Sequence, residues 1–565
     1  MRDSRLTRAA SGLRDLLGRF PGTSWLIGGE EAEASHTLRQ GMLGSLLIMV
    51  GSWGVGWLAT TPGSVLVVNP LLLPLRTTTA GVVTCIVLLA LGSLLLVRSW
   101  LRISQRLGGW GPHAVPVLRR ALVMWGAPLL FTVPIFSRDV YSYIAQGRAL
   151  HAGLNPYETG ISELPGWFAE GADGLWAESP SPYGPLFLAL ARLIWFSSDD
   201  VPEAAVVLFR LLSLLGVVLM VVFIPRLAEG LGSDASWALW LCLLNPLSLL
   251  VFIAAAHNDA LMIGLMVAGC WAMLTQRRWW GAGLLLGAVT IKPIALVVVP
   301  FAVLLLLSDT SSRRARLRQW LWIGVIAVLV LGVLGLSLRV GFGWIPAALG
   351  AGSAALPAAP VGLLGLGLGE AAAAVTAVDA DTVAAVFFAV VRLFSGVVVA
   401  WLLLRPRLGN PVLWAGYGLA VVVVLSSVLQ PWYLLWLLPL FAVVHVYRGR
   451  ILVLVSLLIT LLVVGVIVLQ VSVAQWIDAT TVQLIGVGVG LAYLVYLLFF
   501  DPNTAELFDI SRRSERWNRS EGWARLRELS SPAVSWRRPQ RHCEPGGRGG
   551  EDADGPAQSV GEGDR

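Results

Sequence analysis

Residues 136–157 read FSRDVYSYIAQGRALHAGLNPY and directly follow a long apolar segment. As a helix beginning at Ser137, this stretch has one polar face, because residues three, four and seven apart lie above one another. That face carries Asp139, Ser142, Tyr143 and Gln146. Ser137 is a residue type that caps helix starts, and Asp139 falls in the first turn, where the helix dipole favours a carboxylate. The pattern is typical either of a polar site at a membrane surface or of an ordinary solvated loop helix.

The composition of the rest of the chain excludes a soluble protein. Of 565 residues, 56% are apolar and 13% are charged. Apolar segments of about 20 residues recur along the sequence, and such segments cross a bilayer as helices. The net charge of +7 does not indicate nucleic-acid binding. In a membrane protein, a basic excess lies in cytoplasmic loops and faces anionic lipid.

The apolar segments predict an all-α polytopic membrane protein with about 12–14 transmembrane helices. Residues 185–196 are too short to span and are expected to lie in the interface or to re-enter. The predicted spans are 41–60, 80–98, 118–136, 203–224, 235–255, 258–275, a broken segment at 279–307, 318–340, 383–404, 411–428, 432–447, 451–470 and 482–500.

Loop charge predicts the orientation of these spans. Arginine-rich loops remain cytoplasmic, whereas loop 137–185 carries mainly acidic residues and is predicted to be external. This gives a cytoplasmic segment 1–40, a transmembrane domain 41–500 with an external amphipathic-helix loop, and a tail 501–565. The tail is basic at first and then polar enough to predict disorder, and it is also cytoplasmic. Three separate polar motifs then face outward, and they begin at Asp139, His257 and Gln430.

Lys292 is the single lysine of the chain and lies inside the apolar segment 279–307. A charged lysine near mid-bilayer costs roughly 2.5–3.5 kcal/mol, so it usually faces a partner or a water-filled cavity. Pro293 cannot continue a hydrogen-bonded helix, which predicts a pair of half-length helices meeting at Lys292. The alternatives are a lysine that binds a phosphate and one that extends its amine to the lipid headgroups.

Two other polar motifs interrupt apolar segments. In His257-Asn258-Asp259, one residue is explained by capping of the following helix, while the histidine and a second polar group are not. A divalent metal ion is left open there, although no further ligands follow at a fixed spacing. Gln430-Pro431-Trp432-Tyr433 is typical either of an interfacial aromatic belt or of a sugar platform.

Taken together, these motifs resemble the GT-C membrane glycosyltransferases, and most closely the polyprenol-phosphomannose-dependent α-1,6-mannopyranosyltransferases of actinobacterial lipomannan synthesis. The resemblance covers most of residues 40–500. It is carried by the motifs that begin at Ser137, Asn155, His257, Lys292 and Gln430.

The resemblance implies an inverting transfer of mannose from a polyprenyl-phosphate donor to a mannan glycolipid acceptor in a bacterial plasma membrane. Asp139 would be the base, and Arg138, Arg148 and Lys292 would bind the donor phosphate. The resemblance assigns no cofactor. The residues predicted to contact the sugar or acceptor are Tyr141, Tyr143, Gln146, His257, Asn258, Asp259, Gln430, Trp432 and Tyr433.

Three alternatives remain at this stage. The same scaffold could serve a protein O-mannosyltransferase or an arabinosyltransferase. A flippase or transporter for a lipid-linked sugar would need polar residues accessible from both faces, whereas loop charge assigns these motifs to one. In an envelope-assembly scaffold, Asp139 and Lys292 would simply hold spans together.

Overall fold

The computed structural model describes residues 34–107, 113–308, 311–350, 359–405, 409–447, 449–471, 478–501 and 504. Within these ranges the chain forms helices and connecting loops, and no strand occurs among them. The predictions for most of segment 1–40 and for nearly all of tail 501–565 concern residues outside these ranges. The all-α class is confirmed.

Most helices of the described ranges share one apolar core, and a small second cluster forms around Val361, Ala384 and Phe388. Two short 3-10 turns, Ile161–Glu163 and Gly174–Trp176, lie in the loop after α5. In chain order, the helices are α1 (Ala34–Val55), α2 (Leu73–Thr77), α3 (Thr79–Arg106), α4 (Ala114–Leu129), α5 (Asp139–His151), α6 (Pro185–Ser197), α7 (Pro202–Gly230), α8 (Ala235–Cys242), α9 (Pro246–Ala254), α10 (Asp259–Leu274), α11 (Arg278–Ile291), α12 (Pro293–Leu306), α13 (Arg313–Ser337), α14 (Trp344–Gly350), α15 (Pro360–Val375), α16 (Ala380–Leu404), α17 (Pro411–Val424), α18 (Tyr433–Ala442), α19 (Arg450–Val471) and α20 (Ala479–Val495).

Six helices of the described ranges are long and apolar enough to cross a membrane, or up to seven if α8 and α9, bent by 55°, form one span. The chain is therefore a polytopic membrane protein. Other predicted spans correspond to shorter apolar helices of 10–17 residues, among them α10, α17 and α18. The helix count by this criterion is below the expected 12–14, because polar residues and prolines divide several apolar segments.

The break predicted at Lys292 is present. Helix α11 ends at Ile291, Lys292 has an extended backbone (φ −143°, ψ 113°), and α12 begins at Pro293. A second break was not predicted, because residues 235–255 were expected to form one span. There Asn245 caps α9 by accepting a hydrogen bond from the Ser248 N–H at 2.9 Å. Pro246 has no N–H, so it cannot continue the backbone hydrogen bonds of α8.

Helix α5 is the predicted loop helix, but it begins two residues later than expected. The Ser137 hydroxyl accepts a hydrogen bond from the Asp139 N–H at 3.1 Å, so it still satisfies a free donor at the helix start. Ten of its thirteen residues are buried. Helix α5 therefore lies inside the bundle and not on its surface with one solvent-exposed face. It packs against α6 and α7.

A close contact between α7 and α10 sets the position of the His257–Asp259 segment. A Cβ built on Gly216 would lie 2.2 Å from the Ala260 carbonyl carbon, and one built on Gly264 would lie 2.5 Å from the Gly216 oxygen. Small residues permit such backbone contact between membrane helices. The start of α10 is therefore held directly against α7.

Candidate active site

Side chains from four distant segments meet in one polar cluster. They come from the start of α5, the junction of α9 with α10, the break between α11 and α12, and the first turn of α18. We call this the central cluster, and it consists of Asp139, His257, Asn258, Asp259, Lys292 and Trp436.

Asp259 anchors the central cluster. Its side chain is fully buried, and its Oδ1 accepts hydrogen bonds from Lys292 Nζ at 2.8 Å and from Trp436 Nε1 at 2.5 Å. Its Oδ2 lies 3.3 Å from His257 Nδ1. Because three donors already surround this carboxylate, its contacts favour an anchoring role over the predicted contact with a sugar.

His257 lies between two carboxylates. Its Nδ1 is 3.3 Å from Asp259 Oδ2 and 3.8 Å from Asp139 Oδ2. Its Nε2 is buried and has no hydrogen-bond partner within the described residues. With the ring proton on Nδ1, Nε2 would be a free acceptor. The ring also lies against Trp432, with ring centroids 4.6 Å apart.

Asp139 is the acid of the central cluster that reaches beyond the protein interior. Its side chain is 15% exposed, whereas that of Asp259 is 0% exposed. The motifs that begin at Ser137 and His257 each follow a residue that is not glycine but has a left-handed backbone. These residues are Phe136 (φ 68°) and Ala256 (φ 56°). Such backbone conformations cost of order 1–3 kcal/mol and cluster at functional sites.

Lys292 points into the protein. Besides its ion pair with Asp259, the ammonium lies over the rings of Tyr183 (5.6 Å) and Trp436 (5.1 Å). The end of loop 137–185 packs on the same break, where the Gly184 N–H donates to the Ile291 carbonyl at 3.0 Å. These contacts differ from those of a lysine extended to the headgroups.

Two predicted sugar contacts on α5 instead connect protein elements. The Tyr143 hydroxyl donates to Asn258 Oδ1 at 3.3 Å, and its ring is fully buried against Phe187. Gln146 Oε1 accepts from the Ser181 hydroxyl at 2.9 Å. The Asn258 Nδ2 atom is buried without a partner in the described part of the chain, as at His257.

The other predicted residues in and just before α5 contact loop 137–185 or Trp57. The guanidinium of Arg138 donates to the Gly171 carbonyl at 2.7 Å and stacks on Trp57 at 4.7 Å. Arg148 forms an ion pair with Glu170. The Tyr141 hydroxyl donates to the Trp57 carbonyl at 2.6 Å. We call Arg138, Tyr141, Arg148 and Glu170 the loop brace.

The loop brace weighs against the phosphate-binding roles predicted for its two arginines. Arg148 lies nine residues beyond Asp139, which is about 13 Å along a helix. Burial lowers the pKa of Arg138 and raises the pKa of the Glu170 carboxyl, which the adjacent Arg148 lowers again. Of the three predicted cations, Lys292 alone belongs to the central cluster.

The Gln430 motif contributes mainly aromatic rings. Trp432 lies against His257, and Tyr433 stacks on Trp436 with ring centroids 4.1 Å apart. Gln430 supplies its backbone carbonyl to the Tyr433 N–H at 3.0 Å. Trp436 was not predicted, although it lies one helical turn beyond Trp432 and so on the same face.

Arg210 was also not predicted, although it is the one charged residue between positions 204 and 224 of an apolar segment. A charge in such a segment is by itself a signal of function. For a metal ion, the described ranges contain no group of three His, Cys, Asp or Glu side chains placed to hold one.

Comparison with known proteins agrees with the predicted resemblance. Residues 38–308 match the family model of the alpha-(1->6)-mannopyranosyltransferase N-terminal domain. The chain is 34% identical over 322 residues to alpha-(1->6)-mannopyranosyltransferase A of Mycobacterium tuberculosis, covering 55% of this chain and 61% of that protein. It is 32% identical over 445 residues to a probable alpha-(1->6)-mannopyranosyltransferase of Mycolicibacterium smegmatis, covering 71% and 78%.

A third relative is alpha-(1->6)-mannopyranosyltransferase B of Corynebacterium glutamicum, at 30% identity over 449 residues, which is 70% of this chain and 71% of that protein. No solved structure matches the chain. The matched range of this chain includes Asp139, His257, Asp259 and Lys292, while Trp436 lies beyond it. The chain thus belongs to the alpha-(1->6)-mannopyranosyltransferase family of glycosyltransferases.

Proposed function

We propose that this protein transfers mannose from a polyprenyl-phosphate donor to the growing α-1,6-mannan of a cell-envelope glycolipid, with inversion, at the outer face of the plasma membrane. One observation carries the proposal. Asp139 is the partly exposed acid of an otherwise buried cluster of charged side chains, in a chain of the mannosyltransferase family. The N and C termini would then be cytoplasmic.

Asp139 would act as the general base. The acceptor hydroxyl oxygen attacks the anomeric carbon of the mannose, and the bond from that carbon to the phosphate oxygen breaks. The polyprenyl phosphate leaves with the bonding electron pair, and the hydroxyl proton passes to Asp139. A β-linked donor that gives an α-linked product requires one such displacement and therefore one catalytic carboxylate.

Lys292 is the cation best suited to the departing phosphate. A phosphate monoester of a lipid is already a good leaving group, so charge stabilisation matters more than a general acid. An ammonium has three N–H donors, of which Lys292 uses one on Asp259. The exposed faces of Trp432 and Tyr433 would carry the apolar side of the sugar ring.

The test is transfer by membranes that contain the protein. We expect labelled polyprenyl-phosphate mannose and an oligomannoside acceptor to give a glycan longer by α-1,6-linked mannose. The same membranes with Asp139→Asn protein, at an equal protein level, should give none. An active Asp139→Asn variant would refute the role of this carboxylate.

Other outcomes would identify the competing functions. Label transferred to a serine or threonine peptide would indicate protein O-mannosylation, and extension from a polyprenyl-phosphate arabinose alone would indicate an arabinosyltransferase. Movement of the labelled lipid across the bilayer without any longer glycan would indicate a flippase. Each of these three results contradicts the proposed function.

A further inference from the structure

Arg210 is a buried arginine that the proposed mechanism does not use. It lies in α7, is 5% exposed, and is surrounded by an apolar segment. A charge at such a position is costly, so its partners reveal what compensates for it. Among the described residues no carboxylate lies within 4.0 Å of its guanidinium, and its partners are four backbone carbonyls and the Thr132 hydroxyl.

Two of these contacts hold the end of α9. Arg210 Nε donates to the Ile253 carbonyl at 3.0 Å, and Nη2 donates to the Ala254 carbonyl at 2.9 Å. Two residues after Ala254 comes the left-handed Ala256, and His257 of the central cluster follows it. The arginine therefore fixes the backbone three and four residues before His257.

The other three contacts hold the end of α4 and the residues just after it, and one of them is donated to the Thr132 hydroxyl at 3.3 Å. Arg210 Nη1 donates to the Leu130 carbonyl at 2.7 Å, and Nη2 donates to the Thr132 carbonyl at 2.9 Å. Four residues after Thr132 comes the left-handed Phe136, which leads into Asp139. One guanidinium thus connects the segments that deliver Asp139 and His257.

The chemistry of these partners explains why an arginine occupies the position. The last carbonyls of a helix have no N–H partner within it, and the negative end of its dipole favours a cation. Two helix ends therefore compensate the charge without an acid. The guanidinium offers five donors in a rigid planar fork, so it can bind two segments at once.

We infer that Arg210 is a positioning residue that holds the left-handed segments at Phe136 and Ala256 and so sets the separation of Asp139 and His257. The catalytic part of this inference rests on the proposed function. A lysine at this position would keep the charge but would present a compact ammonium, which cannot reproduce the planar fork across both segments.

The kinetic test compares Arg210→Lys with Arg226→Lys. Arg226 is the matched control, because it lies on the same helix but is exposed and donates to Val222 of its own helix. We expect kcat per folded protein to fall about 10–100-fold in Arg210→Lys, since a misplacement of about 1 Å can cost 10²-fold. The KM values should change less than about threefold, and Arg226→Lys should match the wild type.

A second measurement does not depend on activity. The amides of Phe136 and His257 donate to Gln470 Oε1 at 2.7 Å and to the Val251 carbonyl at 3.2 Å, so they should exchange slowly with solvent. Arg210→Lys should speed their hydrogen exchange by about tenfold while leaving α19 residues 453–467 unchanged, because the effect is a local opening.

The inference is overturned if exchange at these amides is unchanged, or if activity falls only in proportion to the amount of folded protein. If the wild-type protein transfers no mannose at all, the proposed function fails. The exchange measurement still decides whether Arg210 holds the two segments.

Discussion

The central cluster and the loop brace lie on different faces of α5 and contain similar residue types, yet they are built differently. Asp259 of the central cluster accepts from Lys292 and Trp436, which lie 33 and 177 positions away in the sequence. In the loop brace, Arg148 contacts Glu170 and Pro165, which lie 22 and 17 positions away. The first set joins distant segments of the fold, and the second closes one local loop.

This difference predicts which changes alter the chemistry and which alter the loop. The central cluster holds one partly exposed acid, together with buried polar atoms of His257 and Asn258 that have no hydrogen-bond partner among the residues that the structure describes. Ligand groups could satisfy those atoms. The loop brace joins α5 and Arg138 to residues 165–171 of loop 137–185, so its loss should make this loop easier to open and should change catalysis little.

The largest expected effect follows from Asp139→Asn. The amide is the same size but cannot accept a proton, and a general base contributes about 10²–10⁴-fold to rate. Transfer should fall by that factor with the protein level unchanged. Asp173→Asn, which changes an acid of loop 137–185, serves as the control. Equal losses for the two variants would remove the distinction between central cluster and loop.

The next largest effect, a loss of stability, is expected for Lys292→Met. It leaves the fully buried Asp259 without its counter-ion, and breaking a buried ion pair costs about 3–5 kcal/mol. The midpoint of thermal unfolding of the purified protein should fall markedly. Adding Asp259→Asn to Lys292→Met should restore part of the stability, because no unpaired charge is then buried. The transfer activity should not return, because the double variant still lacks the ammonium of Lys292. Additive effects of the two changes would contradict the ion pair.

Sequence reasoning located the motifs of the central cluster but not their partners. The break at Lys292 was predictable, because proline has no N–H to donate to the helix. Loop charge predicts the same side of the membrane for the Asp139 and His257 motifs, and the two side chains lie 3.8 Å apart. These predictions depend on local chemistry and on counting spans, which the sequence carries directly.

Contacts between side chains were harder to predict. Arg138 was expected to act beside Asp139, but consecutive residues of a helix do not face one another, and its guanidinium contacts Gly171 instead. Trp436 lies in an apolar helix, where a tryptophan normally indicates core packing. Its bond to Asp259 depends on how α18 packs near α10, and no local pattern contains that information.

A smaller effect should separate two tyrosines on α5. Tyr141 and Tyr143 each donate one hydrogen bond, to Trp57 of the loop-brace side and to Asn258 of the central cluster respectively. Each change to phenylalanine should cost about 1 kcal/mol of unfolding free energy. Only Tyr143→Phe should also lower kcat, by a few-fold, because Asn258 then loses its orienting partner. Equal kinetics for both variants would contradict the assignment of these faces.

The smallest effect is a pH dependence confined to the loop brace. Burial raises the pKa of the Glu170 carboxyl above its ordinary value of 4.5, Asp200 raises it further, and Arg148 lowers it. A folded pKa above the unfolded one means that protonation stabilises the closed loop. That stabilisation is fully present below the unfolded pKa and is lost as pH rises through the folded pKa.

Loop 137–185 should therefore open more readily as pH rises through the folded pKa of Glu170. The measurement is hydrogen exchange at residues 165–171, corrected for the intrinsic exchange rate at each pH. Arg148→Gln removes the charge that lowers the Glu170 pKa, so the loss of protection should move to higher pH. Glu170→Gln should make the corrected exchange rates of residues 165–171 independent of pH. The transfer rate should change less than about threefold in either variant, because exposed or partly exposed ion pairs contribute little free energy. A shift to lower pH in Arg148→Gln would mean that another cation holds Glu170, and the loop brace would then need to be reassigned.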